Sequence, residues 1–339
     1  MKNFLIVKLS AIGDVIHALP VAYALKEAHP DCHITWVVEP PAYDLVKMSP
    51  YIDEVILFEK KKFKSFRGFL REYGPLKRKI QARSYDAVLD LQGLFKSAAV
   101  ARLGKAPVKL GMCNMRELSD RISRPVIGPH AKGHIVERYL DVARALGCPV
   151  KEVRFTLEVP EREADLAGRI FAQAGGSMAT PYAVLAIGAN WPNKRWPTEN
   201  FARLADYLYD RKIIPVLVGG GPVDEQRAAE ICSHTEIPPL NLVGRTNFKQ
   251  LTYILQQARL CVGGDTGPVH LASGLGTPTV MVMGPTDANR NGPYGQLDNA
   301  LEVDRSCRYC WQRSCPKGED CLADISVERL QQKLQEILP

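Results

Sequence analysis

Three short segments and one cysteine cluster carry residue types whose spacing could do chemistry. In Lys8-Leu9-Ser10-Ala11-Ile12-Gly13-Asp14-Val15-Ile16-His17, an apolar run ends in a loop of small residues and Gly13-Asp14 opens a helix running to about Ala28. A carboxylate at that place either caps the helix, where free N–H groups and the macrodipole favour it, or takes a proton from an acceptor hydroxyl as general base. Its position at the carboxyl end of a first strand, with Lys8 close by, favours the second role. In Gly263-Gly264-Asp265-Thr266-Gly267-Pro268-Val269-His270 a strand passes into a small-residue helix. The amides of Thr266 and Gly267 are left to point at an anion, Pro268 suits the first helical turn, and His270 falls one turn after Thr266. The plain alternative is a Gly-Gly-Asp turn with a core histidine. Asn190-Trp191-Pro192-Asn193-Lys194-Arg195-Trp196-Pro197 also follows a strand; its Lys194 and Arg195 either neutralise a diphosphate leaving group or belong to a surface loop whose tryptophans cover the core.

Cys307, Cys310, Cys315 and Cys321 lie within fifteen residues. They either wrap one structural zinc or iron as four thiolates, leaving no open position for catalysis, or stay as four reduced thiols. Signatures of other chemistries do not occur: there is no G-x-G-x-x-G, no G-x-x-x-x-G-K-[ST], no G-x-S-x-G and no H-E-x-x-H. Dehydrogenase, kinase and hydrolase readings lose weight accordingly. His130 and His134 lack a third ligand and read as loop histidines.

The elements that must position these residues follow from the apolar pattern. Strand-length runs at Phe4 to Lys8, His33 to Val38, Glu54 to Phe58 and Ala87 to Asp90 alternate with helical patterns. After a polar stretch at Glu158 to Thr180 the alternation restarts, with strands expected at Tyr182 to Ile187, Ile213 to Val218, Leu260 to Val262 and Thr279 to Met283. Two such arrays predict two doubly wound parallel sheets, with ligands expected in a cleft between them.

Of the 339 residues 46% are hydrophobic, which excludes a disordered chain. No apolar run reaches membrane-spanning length, and Lys8 and Asp14 interrupt the first apolar stretch, so neither a signal peptide nor a transmembrane anchor is expected. Nine cysteines without an export signal fit a reducing, cytoplasmic setting. Charge is uneven: residues 1–155 hold 26 Lys+Arg and 16 Asp+Glu, a net +10, whereas 156–339 hold 18 and 21, a net −3. Ten basic residues and one acid fall in Lys60 to Arg83, interleaved with Phe63, Phe66, Phe69, Leu70, Tyr73, Leu76 and Ile80. This reads as a basic amphipathic helix, expected to be broken at Gly74-Pro75. It either lies against an anionic membrane or phosphorylated lipid, or is a solvated face over a core stripe. Nucleic acid is not expected as a partner, because no stacking module accompanies the patch.

Taken together, K-x-S-x-x-G-D-V-x-H-x-L-P from Lys8, K-R-W-P at Lys194 and D-T-G-x-x-H-L-A from Asp265 resemble glycosyltransferase family 9, the ADP-heptose:lipopolysaccharide heptosyltransferases. The opening motif leans toward the first heptosyltransferase rather than the second. The resemblance implies an α/β GT-B fold, two Rossmann-like domains facing across a cleft. These would be an acceptor domain over 1–157, a linker over 158–180, a nucleotide-sugar domain over 181–325 and a terminal helix over 326–339 packing back toward the first domain. It implies inverting transfer of heptose from ADP-L-glycero-D-manno-heptose to the Kdo-containing inner core of lipid A, without a catalytic metal, by a protein peripheral on the cytoplasmic face of the inner membrane. Asp14 matches the base and Lys194 the lysine that meets the donor phosphates. Asp265, Thr266, Gly267 and His270 match the donor segment, with Asp224 or Glu225 as an acidic ribose or adenine contact. Ala189-Asn190 stand where the first heptosyltransferase carries a threonine pair, which leaves Asn190 at that place without a hydroxyl. Lys8, Lys60, Lys61, Lys62 and Lys64 are the candidate contacts to an anionic acceptor. A transferase using another nucleotide sugar, or a non-catalytic binder of lipopolysaccharide or nucleotide, is the alternative.

Overall fold

Runs such as Phe4-Leu5-Ile6-Val7 and Thr279-Val280-Met281-Val282-Met283 are buried along their whole length rather than at alternate residues. Only a parallel sheet covered by helices on both faces hides a strand in this way. The computed structural model describes residues 1–338 and divides them into two compact units, the first ending at Glu158 and the second starting at Val159.

The first unit runs β1 (Asn3–Val7), α1 (Ile12–Ala28), β2 (His33–Val38), α2 (Pro40–Lys47), β3 (Glu54–Leu57), α3 (Phe66–Gln81), β4 (Ala87–Asp90), α4 (Phe95–Leu103), β5 (Val108–Gly111), β6 (Arg124–Pro125) and α5 (Ile135–Arg144). The second runs α6 (Glu161–Gln173), β7 (Tyr182–Ala186), α7 (Thr198–Asp210), β8 (Ile214–Val218), α8 (Pro222–His234), β9 (Leu240–Asn241), α9 (Phe248–Gln257), β10 (Leu260–Gly264), α10 (Gly267–Gly274), β11 (Thr279–Met283), α11 (Ala288–Asn291), β12 (Ala300–Glu302) and α12 (Val327–Ile337).

Each unit holds one six-stranded parallel sheet, ordered β3-β2-β1-β4-β5-β6 in the first and β12-β11-β10-β7-β8-β9 in the second. The two orders are the same topology: each sheet begins at its centre, grows outward, then returns to grow from the other side. The strand order reverses between β1 and β4 and between β7 and β10. Loops leaving the carboxyl ends diverge there, and such crevices take ligands in doubly wound sheets. The α/β expectation of two doubly wound sheets therefore holds.

The basic helix departs from expectation. A 3-10 turn at Lys60–Phe63 precedes α3, whose first turn is capped by the Ser65 hydroxyl accepting from Gly68 N at 3.1 Å. Gly74-Pro75 does not break α3. Pro75 is on the exposed side, so the carbonyl it leaves without a donor can meet water, while Leu76 and Ile80 anchor the following turn in the core. Within the polar interval 158–180, α6 buries Ala167 and Phe171, the latter against the Tyr182 ring. At the other end α12 buries Val327, Leu330 and Leu334 in the second unit's core, beside α7. Pro339, the last residue of the terminal segment expected over 326–339, lies outside the described residues.

Candidate active site

The first unit offers Asp14 at the carboxyl edge of its sheet, in the third residue of α1 and only partly covered. Its Oδ2 lies 3.4 Å from Ala11 N, a long contact that leaves most of the carboxylate's hydrogen-bonding capacity open. The loop that presents it is held firmly. Gln92 Oε1 accepts from Leu9 N and Ser10 N at 3.2 and 3.0 Å, and Lys96 Nζ donates to Ser10 Oγ at 3.0 Å and to Glu39 Oε1 at 2.7 Å. Gln92 is placed in turn by Asp90, whose Oδ1 accepts from Gln92 N and Gly93 N. Burial pushes the Asp90 carboxyl above its usual range, against the pull of these amides, Ser97 and Lys8. Val7 and Asp90 are partners in register, so the Asp14 loop and this clamp leave neighbouring strands side by side.

In the second unit, β7 and β10 pair with Ala186 beside Gly263, and the loops leaving both strands meet. Gly264 makes that possible, because a Cβ there would sit 2.0 Å from the Lys194 carbonyl oxygen. The meeting brings Lys194 Nζ to 2.6 Å from Asp265 Oδ2, while His270 Nε2 lies 2.7 Å from Asp265 Oδ1. An ionised carboxylate only accepts, so Nε2 of His270 carries the proton. Thr286 Oγ1, on the loop after β11, donates to Asp265 Oδ2 at 2.7 Å. Burial alone would raise the Asp265 carboxyl, but His270 and Lys194 overcome it and hold the group well below the usual carboxylate range. Trp191 places its ring 4.4 Å from Lys194 Nζ. Arg227, itself buried enough for its guanidinium to be lowered, donates Nε to Ile187 O at 3.0 Å and also bonds the Trp196 carbonyl, bracing the loop from below.

The turn beside this cluster is open toward an anion. The α10 ladder begins with His270 N donating to Thr266 O, so the amides of Thr266, Gly267 and Val269 stand ahead of it. The Thr266 side chain does not cap the helix, and its Oγ1 is buried with no hydrogen-bond partner. An ammonium, a helix N-terminus and a hydroxyl are thus gathered at the sheet's reversal point, a chemistry suited to a phosphate or diphosphate.

The profile described as glycosyltransferase family 9 (heptosyltransferase) matches residues 74–320. The chain belongs to this family. Lipopolysaccharide heptosyltransferase 1 of Pseudomonas aeruginosa is 31% identical, covering 98% of this chain and 97% of its own. Among solved structures, a family 9 glycosyltransferase from Veillonella parvula superposes with a TM-score of 0.87 at 26% identity over 99% of this chain and 97% of its own. The E. coli heptosyltransferase WaaC with ADP gives 0.78 at 27% identity over 99% of both. The expected GT-B-type pair of Rossmann-like sheets is therefore that of the family, and the chain is a glycosyltransferase.

Several residues of this family 9 chain stand elsewhere than the sequence led us to expect. Lys8 is only 2% exposed, its Nζ donating to Tyr139 Oη at 2.8 Å and lying over that ring, so it serves the first unit's interior and not an anionic acceptor. Lys60, Lys61, Lys62 and Lys64 are all exposed. Asp224 is buried with Oδ2 accepting from Gly220 N at 2.8 Å and pressed on Gly188, which leaves the exposed Glu225 as the available acid of the pair. Asn190 is exposed at the start of the Lys194 loop. His134 is the last residue of the loop before α5 and caps that helix, its Nδ1 accepting from Val136 N at 3.2 Å.

The four cysteines of the loop after β12 were open to two readings, one structural metal site or four reduced thiols. Among the described residues no group of three or more His, Cys, Asp or Glu is arranged to hold a metal ion, and Cys307 and Cys310 are exposed. The loop is organised by other contacts. Arg305 pairs with Glu319 and Asp324, and Tyr309 N and Trp311 N donate to Gly284 O and Pro285 O at 3.0 and 2.9 Å. These bonds turn the chain between the thiols, and Cys310 and Cys315 stay near enough to Cys321 to act on its thiol.

Proposed function

We propose that this family 9 chain transfers heptose from ADP-L-glycero-D-manno-heptose to a Kdo-containing inner-core acceptor of lipopolysaccharide, with inversion and without a catalytic metal. The observation that carries the proposal is the Lys194–Asp265–His270–Thr286 cluster set beside the unladdered amides of α10. Support for the donor comes from the E. coli WaaC structures, described with ADP and with ADP-2-deoxy-2-fluoro heptose. Support for the acceptor class comes from the name of the P. aeruginosa relative.

The reaction balances on residues of this chain. Asp14 takes the proton of the acceptor hydroxyl as its oxygen bonds the anomeric carbon from the face opposite the diphosphate. The bond from that carbon to the phosphate oxygen breaks, and ADP departs with the electron pair. The Lys194 ammonium and the amides of Thr266 and Gly267 meet the charge that develops on it, so the electrostatic work falls on groups already in place. Asp265 holds Lys194 and His270 until the phosphates compete for the ammonium. Glu225 is the residue we assign to the ribose, and Lys60, Lys61, Lys62 and Lys64 to the anionic acceptor. Mass spectrometry of the product formed from ADP-heptose and a Kdo-lipid A acceptor tests the reading: one added heptose is expected. Calorimetry that favours UDP or GDP over ADP would replace the donor, and binding with no ADP release would make the protein a non-catalytic binder.

A further inference from the structure

The first two turns of α3 present an apolar stripe that the first unit's core does not use. Phe66, Phe69, Leu70 and Tyr73 follow the spacing i, i+3, i+4, i+7 and so share one face. All are exposed, Phe66 at 76% and Leu70 at 61%. The helix meets its core obligation elsewhere, through Leu76 and Ile80. The same face that Leu76 and Ile80 bury in the second half of the helix is left in water over its first two turns, and a contiguous exposed apolar stripe of this kind marks an interaction surface. It is also anchored: buried Phe58 packs on Phe63 at 5.0 Å between ring centres, Phe63 on Phe69 at 6.3 Å, and Phe69 on Tyr73 at 5.2 Å.

Charge identifies the occupant. Exposed Lys60, Lys61, Lys62, Lys64, Arg67 and Arg71 surround the stripe, and the two nearby acids, Glu59 and Glu72, are each paired with one of them. Aromatic and leucine side chains on one face with lysine and arginine around them are the composition of a helix that lies in the interface of an anionic bilayer. Topology agrees. The start of α3 follows β3 and the start of α1 follows β1, and both strands belong to one parallel sheet, so the stripe and Asp14 stand at the same sheet edge.

We propose that the N-terminal half of α3 docks this protein on anionic membrane surfaces, inserting Phe66, Phe69, Leu70 and Tyr73 among the headgroups. The inference deepens the function proposed above, which needs a lipid-borne acceptor, but binding is measured without turnover. The full chain is sedimented with phosphatidylcholine vesicles, with or without one part in three of phosphatidylglycerol. Binding is expected only with phosphatidylglycerol, weakening as salt is raised. The double variant Phe66→Ser/Leu70→Ser, both positions being exposed, should keep the unfolding profile and the rate of transfer to a delipidated acceptor while losing about tenfold or more in vesicle affinity. In a second variant, Phe66→Trp, the added indole fluorescence should be quenched by brominated phosphatidylglycerol vesicles. Absence of wild-type binding, an unchanged affinity in the double variant, or an added indole signal that stays unquenched would overturn the proposal. So would a wild-type dimer that the double variant dissociates without any vesicle binding. Vesicle binding by a protein that makes no heptosylated product would sink the assigned reaction and leave the docking face standing.

Discussion

Lys194 reaches the residue just before the unladdered turn of α10, its ammonium 2.6 Å from Asp265 Oδ2. A charged hydrogen bond to phosphate contributes about 1.5–3 kcal/mol, so Lys194→Ala is expected to weaken ADP binding by roughly ten- to a hundredfold on that basis. Calorimetry reads this directly, and an unchanged dissociation constant would remove Lys194 from the donor site. Asp265 has a different signature, in pH. Its carboxyl is lowered in the folded protein, so its stabilising contribution is complete above the unfolded value near about pH 4 and is lost as pH falls toward the folded value. Asp265→Asn should therefore cost about 3–5 kcal/mol at neutral pH, where Lys194 loses its counter-charge. The deficit should shrink as the medium is acidified below about pH 4. Urea unfolding of both proteins across that range checks the sign, and a deficit independent of pH would contradict an ion-paired Asp265.

At the scale of elements, the cluster exists because the loop after β7 can lie on the end of β10. Gly264→Ala puts a methyl group against the Lys194 carbonyl, so the loop must shift while the buried strands keep their register. We expect ADP affinity to fall about as far as in Lys194→Ala while unfolding stability changes by no more than about 1–3 kcal/mol, the range for overpacking. Unaltered ADP affinity would show that the close approach of the two loops is dispensable. The same scale explains what the amino-acid sequence disclosed. Central strands such as β7 and β11 are unbroken apolar runs and were legible. β5, β6, β9 and β12 were not: β6, β9 and β12 are edge strands of only two or three residues, and β5, although flanked by β4 and β6, reads Val-Lys-Leu-Gly, so none carries much apolar pattern. α3 persists through Gly74-Pro75 because Leu76 and Ile80 tie the far side of the helix to the core, a tertiary effect that local propensity cannot register.

Over the whole molecule, one sheet topology occurs twice with opposite charge balance, +10 over residues 1–155 and −3 over 156–339. Asp14, Lys194, Asp265 and His270 could be singled out from the sequence because each sits where a strand gives way to a loop or helix. Their supports could not. Gln92 and Lys96 bond residues more than eighty positions away, Thr286 lies twenty-one residues from Asp265, and Arg227 reaches back to Ile187, so only the folded chain unites them. The central claim is that one carboxylate of the first unit activates the acceptor for a donor held by the second. The measurement that tests it most directly is turnover of ADP-heptose with the inner-core acceptor by Asp14→Asn, alongside its ADP dissociation constant. Loss of a general base predicts a fall of about 10²–10⁴ in kcat with ADP affinity essentially unchanged. Turnover close to that of the parent protein would contradict the account.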